Sequence, residues 1–350
     1  IKIYTGGKSN IPGKKKIIKL SSNENSYGPS PLVYKLINSK DFILHFNRYP
    51  EINGVTLRKA ISNHYSIEAE RIVLGCGSDE NLLFAALSFC QDGDEIIHAE
   101  HGFEMYPIIA KIVGATSKIF KEDNEYKINI KSICNEITVA TKLIYLANPN
   151  NPTGTYLSRS SIVELMKKIP KNIIVVLDGA YAEYVMQKDY DKGFSLADEF
   201  DNIILTRTFS KIYGLAGLRI GWCYSSKKIT KILNKVKGPF NTTEISQNLA
   251  IEALNDQDHI KKIINSNIEI KEWFKNELRK LKLSVYSSEG NFVFVETTEK
   301  IATTIVNHLY NEGIIIRQLN SYKLPHCLRI SIGTKKEMEA TINSLKKIKW

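Results

Sequence analysis

A lysine among hydroxyl side chains is the most chemically distinctive feature of this sequence. The segment from Thr206 to Lys211 has the sequence T-R-T-F-S-K, and Arg219 ends the glycine-rich stretch G-L-A-G-L-R that follows. A lysine in such a pocket can form a Schiff base with an aldehyde cofactor. Hydroxyl groups and an arginine can hold the phosphate of that cofactor. A glycine-rich loop with a surface lysine would have the same composition, so this segment alone leaves both interpretations open.

An aspartate ends a strongly apolar run. Asp178 follows the residues V-V-L, and Tyr181 lies three positions later. An aspartate at the carboxyl end of a buried parallel strand lies where α/β sheets place their ligands. There the carboxylate can pair with a protonated pyridine nitrogen, and the tyrosine can reach a phenolate oxygen. A strand-ending aspartate that caps a helix is the alternative, and for a single aspartate it is the commoner case.

Three further polar segments are candidates for a binding site. The turn from Asn148 to Gly154 can direct an asparagine into a cleft, although it is also an ordinary turn signal. The segment G-C-G-S-D-E from Gly75 to Glu80 opens a helix whose amide groups can bind phosphate, unless its serine and aspartate are simple helix caps. The stretch from Leu20 to Pro31 has no regular period and is predicted to form an N-terminal arm.

The pattern of apolar residues predicts the elements that position these segments. Helical periodicity over 55–65, 80–90 and 105–113 alternates with short buried strands at 71–74, 95–98, 115–119, 143–147, 173–177, 203–206 and 218–223. Such alternation indicates a mainly parallel sheet covered by helices on both faces. After residue 237 the pattern changes to a long helical stretch over 246–281 with a break near 255–256, followed by a smaller α+β unit.

Composition and charge limit the function classes. The chain has 350 residues, 43% of them apolar and 24% charged, and this composition is typical of globular proteins. Its length predicts a large domain and a smaller one. Lysine and arginine exceed aspartate and glutamate by 48 to 37, a formal net charge of +11. Because no helix-turn-helix, RRM or zinc-finger motif accompanies this charge, we expect no nucleic-acid partner. Positive potential that attracts anionic substrates is the interpretation we favour.

Cysteine, histidine and hydropathy patterns exclude further classes. The five cysteines are widely spaced and the seven histidines form no metal-binding motif, so we expect neither a disulfide framework nor a metal site. No apolar run approaches the roughly 20 residues of a membrane helix, and the first 19 residues lack the pattern of a signal peptide. We therefore expect a cytoplasmic protein without a membrane partner.

The order and spacing of these segments across nearly the whole chain resemble the fold-type I pyridoxal-phosphate (PLP) aminotransferases. Within that group the resemblance is closest to the enzymes that act on histidinol phosphate. The motifs that carry it are N-E-N-S-Y-G-P-S-P in the arm, N-R-Y-P-E from Asn47, N-N-P-T-G, T-F-S-K with G-L-A-G-L-R, and C-L-R-I from Cys327. Gly179 and Ser26 depart from the family, where glutamate and proline are common.

The resemblance implies a fold, an activity and an assembly. The fold would be α/β, with a large domain around a mainly parallel seven-stranded sheet and a small α+β domain. Residues 1–46 would form the arm and part of the small domain, residues 47–245 the PLP-binding domain, and residues 246–350 the small domain. The activity would move an amino group between histidinol phosphate and 2-oxoglutarate in histidine biosynthesis. A homodimer with shared active sites is expected.

The resemblance also implies a role for particular residues. Lys211 would form the Schiff base, Asp178 would bind the pyridine nitrogen, and Tyr181 and Asn151 would contact the phenolic oxygen of PLP. Phe103 would stack on the PLP ring. The phosphate would be held by Gly77, Ser78, Asp79, Thr208, Ser210 and Arg219. Tyr49 would reach the cofactor phosphate of the partner subunit. The substrate would be bound by Tyr27, Asn151, Arg317 and Arg329.

Two related chemistries remain as alternatives. A PLP-dependent phosphoamino-acid decarboxylase of the threonine-phosphate type has a similar sequence pattern, since only the bond aligned with the ring decides the outcome. A broad aminotransferase for aromatic amino acids is the other neighbour. A PLP-sensing regulator would need an added DNA-binding domain for which 350 residues leave no room. A catalytically inactive relative is disfavoured because Lys211, Asp178, Asn151, Tyr181 and Arg219 are all present.

Overall fold

A computed structural model describes residues 3–4, 6–40, 42–43 and 45–349. Within them the strands are β1 (Ile18–Lys19), β2 (Ile72–Gly75), β3 (Glu95–Ala99), β4 (Thr116–Phe120), β5 (Thr141–Ala147), β6 (Ile174–Asp178), β7 (Ile203–Thr208), β8 (Gly221–Ser225), β9 (Ser284–Val285), β10 (Phe292–Glu296), β11 (Ile314–Ile315), β12 (Arg317–Leu319) and β13 (Leu324–Ser331). The helices are α1 (Pro31–Ile37), α2 (Val55–Tyr65), α3 (Ser78–Phe89), α4 (Met105–Ile112), α5 (Ile130–Asn135), α6 (Arg159–Lys168), α7 (Phe194–Glu199), α8 (Lys227–Val236), α9 (Glu244–Asn255), α10 (Gln257–Lys280), α11 (Glu299–Glu312) and α12 (Lys335–Leu345). Over these residues no helix is long and apolar enough to cross a membrane.

Seven strands form the central sheet in the order β2-β8-β7-β6-β5-β3-β4. Strand β8 runs antiparallel to β2 and β7, and the other neighbours are parallel. Side chains that alternate along a strand enter two different cores: Leu143 and Tyr145 pack on one face, and Ile144 and Leu146 on the other. Both faces are therefore covered, which confirms the predicted α/β fold with a mainly parallel seven-stranded sheet.

One predicted boundary differs from the observed elements, and one is confirmed. The last strand of the sheet begins at Gly221 rather than at Leu218, because residues 216–218 form a 3₁₀ turn that ends in Arg219 at a left-handed φ of 50°. The predicted break in the long helical stretch is confirmed. It falls at Asp256, whose carboxylate accepts a hydrogen bond from the His259 backbone amide at 3.1 Å and so caps α10.

A second, smaller core lies between the remaining strands and the C-terminal helices. Strands β12, β13, β10 and β9 form an antiparallel sheet in that order, and β1 pairs in parallel with β11. Leu20, from the arm, is fully buried in this core together with Phe274, Leu309 and Leu345. The arm is thereby held against the smaller sheet before it reaches the larger one.

Helix α10 connects the two cores. Ile260 and Ile263, near its start, pack in the same core as Leu249 of α9 and the central sheet, whereas Ile270 and Phe274 pack in the smaller core. The change from one core to the other therefore falls inside α10, and α9 packs with the central sheet. The domain division predicted after residue 245 would separate α9 from its packing partners, and it stays a prediction.

A buried lysine on α10 holds a turn of the smaller unit. The Lys271 ammonium donates hydrogen bonds to the carbonyls of Ser288 at 2.6 Å and Gly290 at 3.0 Å. Burial lowers the pKa of Lys271 to about 8. The same turn is joined to the loop after β5, because the Glu289 amide donates to the Gly154 carbonyl at 2.9 Å. Lys271 thus stabilises the contact between the smaller unit and a loop of the larger one.

We expect this lysine to make stability depend on pH. The unfolded chain keeps the Lys271 proton up to its ordinary pKa of 10.5, whereas the folded chain releases it above about 8. The difference in free energy of unfolding, unchanged protein minus Lys271→Met, should therefore increase by about 2 kcal/mol between pH 7 and 9.5. Urea unfolding followed by circular dichroism at both pH values measures it. Lys261→Met, on the same helix but 73% exposed, is the control and should show no such rise.

Candidate active site

A cavity of about 360 Å³ lies at the carboxyl ends of β5, β6 and β7, between the two sheets. This is the edge at which parallel α/β sheets bind ligands, and the volume is within the ~300–1,000 Å³ of ligand pockets. The predicted residues that line it are Ser78, Asp79, Phe103, Asn151, Asp178, Tyr181, Thr208, Ser210, Lys211, Arg219, Arg317 and Arg329. Residues distant in sequence are therefore brought to one cavity.

A buried carboxylate lies at the base of the cavity. Asp178 ends β6 and is only 5% exposed. Its two oxygens accept hydrogen bonds from the Thr206 hydroxyl at 2.9 Å and the Tyr106 hydroxyl at 3.0 Å. Burial raises the pKa of Asp178, and these two hydrogen bonds oppose the rise by stabilising the charged form. The pair of donors orients the carboxylate toward the cavity for a positively charged partner.

Lys211 follows β7 and reaches the same cavity from the neighbouring strand. Its ammonium donates a hydrogen bond to the Ser22 carbonyl at 3.1 Å and lies 5.8 Å from the centre of the Tyr181 ring. The turn after the lysine is tight: Gly214 has a φ of +70°, and a Cβ there would lie 2.6 Å from the Gly28 backbone. A glycine is thus required where the arm crosses the lysine loop.

An anion cradle surrounds Arg219. The Arg219 guanidinium donates to the Ser210 hydroxyl at 3.3 Å and to the Asp79 carboxylate at 3.2 Å. Helix α3 begins beside it at Ser78, so the amide groups of its first turn add positive potential. Gly77 has a φ of +78°, and a Cβ at this position would lie 2.3 Å from a guanidinium nitrogen. These donors suit an oxyanion such as phosphate.

Two arginines occupy the opposite side of the cavity. Arg317 and Arg329 are direct partners on the adjacent strands β12 and β13, and both are buried. Arg329 donates to the Asn151 side-chain oxygen at 2.5 Å and to the Ser21 carbonyl at 2.7 Å, while its buried Nε has no hydrogen-bond partner among the described residues. Arg317 donates to the Glu104 carboxylate at 2.6 Å. Paired guanidinium groups of this kind bind carboxylate or phosphate.

Two predicted residues lie away from this cavity. Tyr49 is 80% exposed and stacks on Phe240 with ring centres 4.4 Å apart. Tyr27 is half-exposed and lines a small separate cavity beside Tyr184 and Asn267. The single chain brings neither tyrosine to the site, and their predicted roles stay predictions.

Several residues of the site were not predicted from sequence. Thr206 could have been found, because it opens the T-R-T-F-S-K motif and is the register partner of Asp178 on β7. Tyr106 and Glu104 belong to the segment around Phe103, but no spacing rule indicates that they contact Asp178 and Arg317. Asn23 in the arm donates to the Tyr181 hydroxyl at 2.9 Å, a contact between residues 158 positions apart.

Fold and site together define an α/β enzyme whose buried lysine, carboxylate and anion cradle share one cavity. The chain belongs to the family of class I and II aminotransferases, since the model of that family, "Aminotransferase class I and II", matches residues 15–345. The family resemblance noted from the motifs is thereby confirmed.

Similar proteins cover nearly the whole chain. The histidinol-phosphate aminotransferase of Pelagibacter ubique is 41% identical over 351 residues, which are 99% of this chain and 97% of that protein. That of Roseobacter denitrificans is 39% identical over 352 residues, covering 100% and 96%. The crystal structure of the histidinol-phosphate aminotransferase from Sinorhizobium meliloti in complex with pyridoxal-5'-phosphate has a TM-score of 0.88 at 27% identity, covering 94% of this chain and 90% of that one.

In the protein without bound small molecules, the charged form of the buried Asp178 carboxylate should lower the free energy of unfolding. Because burial raises the pKa of Asp178, the folded chain holds the proton more strongly than the unfolded chain does. The difference in free energy of unfolding, unchanged protein minus Asp178→Asn, should therefore decrease as pH rises from 4 to 7. Urea unfolding at both pH values measures the difference. Asp258→Asn, at a side chain that is 96% exposed, is the control. A difference that stays level or grows with pH would contradict the expectation.

Proposed function

We propose that this protein is a PLP-dependent aminotransferase that moves an amino group between histidinol phosphate and 2-oxoglutarate. The observation that carries the proposal is a single cavity with Lys211 and Asp178 on one side and the opposed Arg317 and Arg329 on the other. Full-length likeness to histidinol-phosphate aminotransferases supports histidinol phosphate as one of the two substrates.

The residues of the cavity fit PLP by their chemistry. Asp178 is a buried, doubly hydrogen-bonded carboxylate suited to a protonated ring nitrogen. Lys211 supplies an amine for the aldehyde. Phe103 lines the cavity with an aromatic face, and Tyr181 and Asn151 supply polar groups for the phenolic oxygen. The phosphate would be held by Gly77, Ser78, Asp79, Thr208, Ser210 and Arg219.

The chain's own residues then have distinct tasks. When bound, PLP supplies an electron sink that stabilises negative charge at the substrate carbon next to the amine. Asp178 keeps a proton on the ring nitrogen by offering it a buried negative charge. Lys211 Nζ, once it carries no covalent partner, would act as a general base that takes a proton from the substrate carbon and then as a general acid that gives it to the former aldehyde carbon of the cofactor. The Ser22 carbonyl holds this amine inside the cavity at 3.1 Å.

Two different substrates must use one set of arginines. Histidinol phosphate has a phosphate and an imidazole, whereas glutamate has two carboxylates. Arg317 and Arg329 serve both, because a guanidinium donates two parallel hydrogen bonds to either anion. Arg329 would exchange its Asn151 and Ser21 contacts for those of the substrate anion, and its Nε, which no other described residue binds, is a further donor.

Assembly and location belong to the same proposal. A homodimer would cover the exposed aromatic side chains of Phe46, Tyr49 and Phe240, which single chains leave in water. In it Tyr49 would reach the cofactor phosphate of the partner subunit. A cytoplasmic location agrees with the five cysteines, all of which are free.

The decisive experiment follows the absorption spectrum of the PLP-loaded protein. Adding histidinol phosphate without any 2-oxo acid should bleach the visible band and produce the spectrum of pyridoxamine phosphate. Lys211→Ala should lose turnover while its circular dichroism is unchanged. A visible band that histidinol phosphate leaves unaltered would reject this substrate, and CO₂ release from threonine phosphate would favour the decarboxylase. Protein that stays colourless with added PLP would reject the proposal as a whole.

Arg329 should contribute to the binding of the dicarboxylate substrate. Arg329→Lys keeps the charge but loses the planar pair of donors, so KM for 2-oxoglutarate should rise about tenfold or more. Steady-state kinetics with both substrates measure the change. Arg279→Lys, at the end of α10, is the control because its guanidinium is exposed and donates a hydrogen bond to the Asn276 side chain, away from the cavity. Equal KM values for Arg329→Lys and the unchanged protein would show that Arg329 does not bind 2-oxoglutarate.

A further inference from the structure

Three consecutive residues of the arm contact three different groups of the cavity. The Ser21 carbonyl accepts a hydrogen bond from Arg329 at 2.7 Å, and the Ser22 carbonyl accepts one from Lys211 at 3.1 Å. The Asn23 side-chain amide donates to the Tyr181 hydroxyl at 2.9 Å. The first two contacts use backbone atoms, which any residue would supply. Only the third depends on a particular side chain.

Asn23 is held rigidly in an unusual conformation. It is 1% exposed and has a left-handed φ of 55°, which asparagine tolerates better than most residues. Its backbone amide donates to the Ser331 hydroxyl at 2.8 Å, and that hydroxyl donates back to the Asn23 side-chain oxygen at 2.9 Å. Asn291 donates to the Asn23 carbonyl at 3.0 Å. The smaller sheet thus fixes both the backbone and the amide of Asn23.

The direction of this amide decides what the Tyr181 hydroxyl can do. The lone pair of Asn23 Nδ2 is delocalised into the amide and does not accept hydrogen bonds, so the tyrosine oxygen accepts from this group and cannot donate to it. The hydroxyl proton of Tyr181 is then free to point elsewhere, and Tyr181 lines the cavity. A donor fixed on one side of a buried hydroxyl makes that hydroxyl a directed donor on the other side.

We propose that Asn23 is a positioning residue that directs the Tyr181 hydroxyl into the cavity toward the phenolic oxygen of the cofactor. The inference rests on the proposed function, because it concerns how PLP is held. It gives the N-E-N motif of the arm a chemical reason. It also connects the smaller sheet, through Ser331, to the electronic state of the bound cofactor.

The pH midpoint of the visible band of the PLP-loaded protein reports this role without measuring turnover. If the Tyr181 hydroxyl donates a weaker hydrogen bond, the anionic form of the phenolic oxygen is less stabilised. The proton next to that oxygen is then held more strongly and is lost only at a higher pH. The midpoint should therefore rise by about half a unit in Asn23→Gly, the size of effect that one hydrogen bond produces. Glycine is chosen because it accepts the positive φ without strain. The charged groups lining the cavity stay unchanged in this variant: Glu24, Asp79, Asp178, Lys211, Arg219, Arg317 and Arg329.

Two further variants separate positioning from loss of structure. Ser331→Ala removes the hydroxyl that orients the amide, and it should raise the midpoint by a smaller amount. Asn25→Ala is the matched control in the same arm, since its amide donates to the carbonyls of Gly28 and Ile212 rather than to Tyr181. It should leave the midpoint unchanged. An equal shift in Asn25→Ala would show general loosening of the arm and overturn the proposal.

A double-mutant cycle tests whether Asn23 acts through Tyr181. Tyr181→Phe should itself raise the midpoint, and adding Asn23→Gly to it should produce no further rise. The proposal is overturned if Asn23→Gly has the midpoint of the unchanged protein, or if its shift persists in the Tyr181→Phe background. Absence of a visible band in the unchanged protein would instead reject the proposed function, so the two failures are distinguishable.

Discussion

The burial of the Asp178 carboxylate is the constraint on which the rest of the site depends. A charge at this depth is costly unless it is hydrogen-bonded and has a positive partner. Thr206, on the adjacent strand, and Tyr106, on helix α4, each donate a hydrogen bond to one of the two carboxylate oxygens. What remains is an oriented negative charge at the base of a cavity. A ligand with a cationic ring nitrogen is the partner that this arrangement favours.

The second constraint is that the cavity lies between two cores rather than inside one. Asp178, Lys211 and the anion cradle belong to the larger sheet, whereas Arg317 and Arg329 project from the smaller one. The arm joins them, since Leu20 is buried in the smaller core and the next three residues contact groups of the site. A movement of the smaller unit would therefore displace the Ser22 carbonyl that binds Lys211 and the Asn23 amide that binds Tyr181. The arm thus connects Arg329 on one side of the cavity with Lys211 and Tyr181 on the other.

Charge is distributed in the cavity so that each cation has a defined place. Arg219 is paired with Asp79, and Arg317 is paired with Glu104. Within the described part of the chain, the hydrogen-bond partners of Arg329 are an amide oxygen and a backbone carbonyl, and none is a carboxylate. Of the three arginines, Arg329 is therefore the one at which an anion would displace neutral acceptors rather than a carboxylate. The overall charge of +11 adds attraction at longer range.

The sequence by itself determined the strand-helix alternation and the sheet class, because apolar period is a local property, and its resemblance to a known family indicated most lining residues. Lys211, Asp178, Asn151 and Arg219 each lie in a motif of a few residues whose local structure is predictable. Only the tertiary structure decided that Tyr106 satisfies Asp178, that Glu104 pairs with Arg317 and that Asn23 contacts Tyr181. These contacts join residues 72, 213 and 158 positions apart. No period or spacing encodes such pairs, since they arise when separate elements pack together and buried polar groups must find partners.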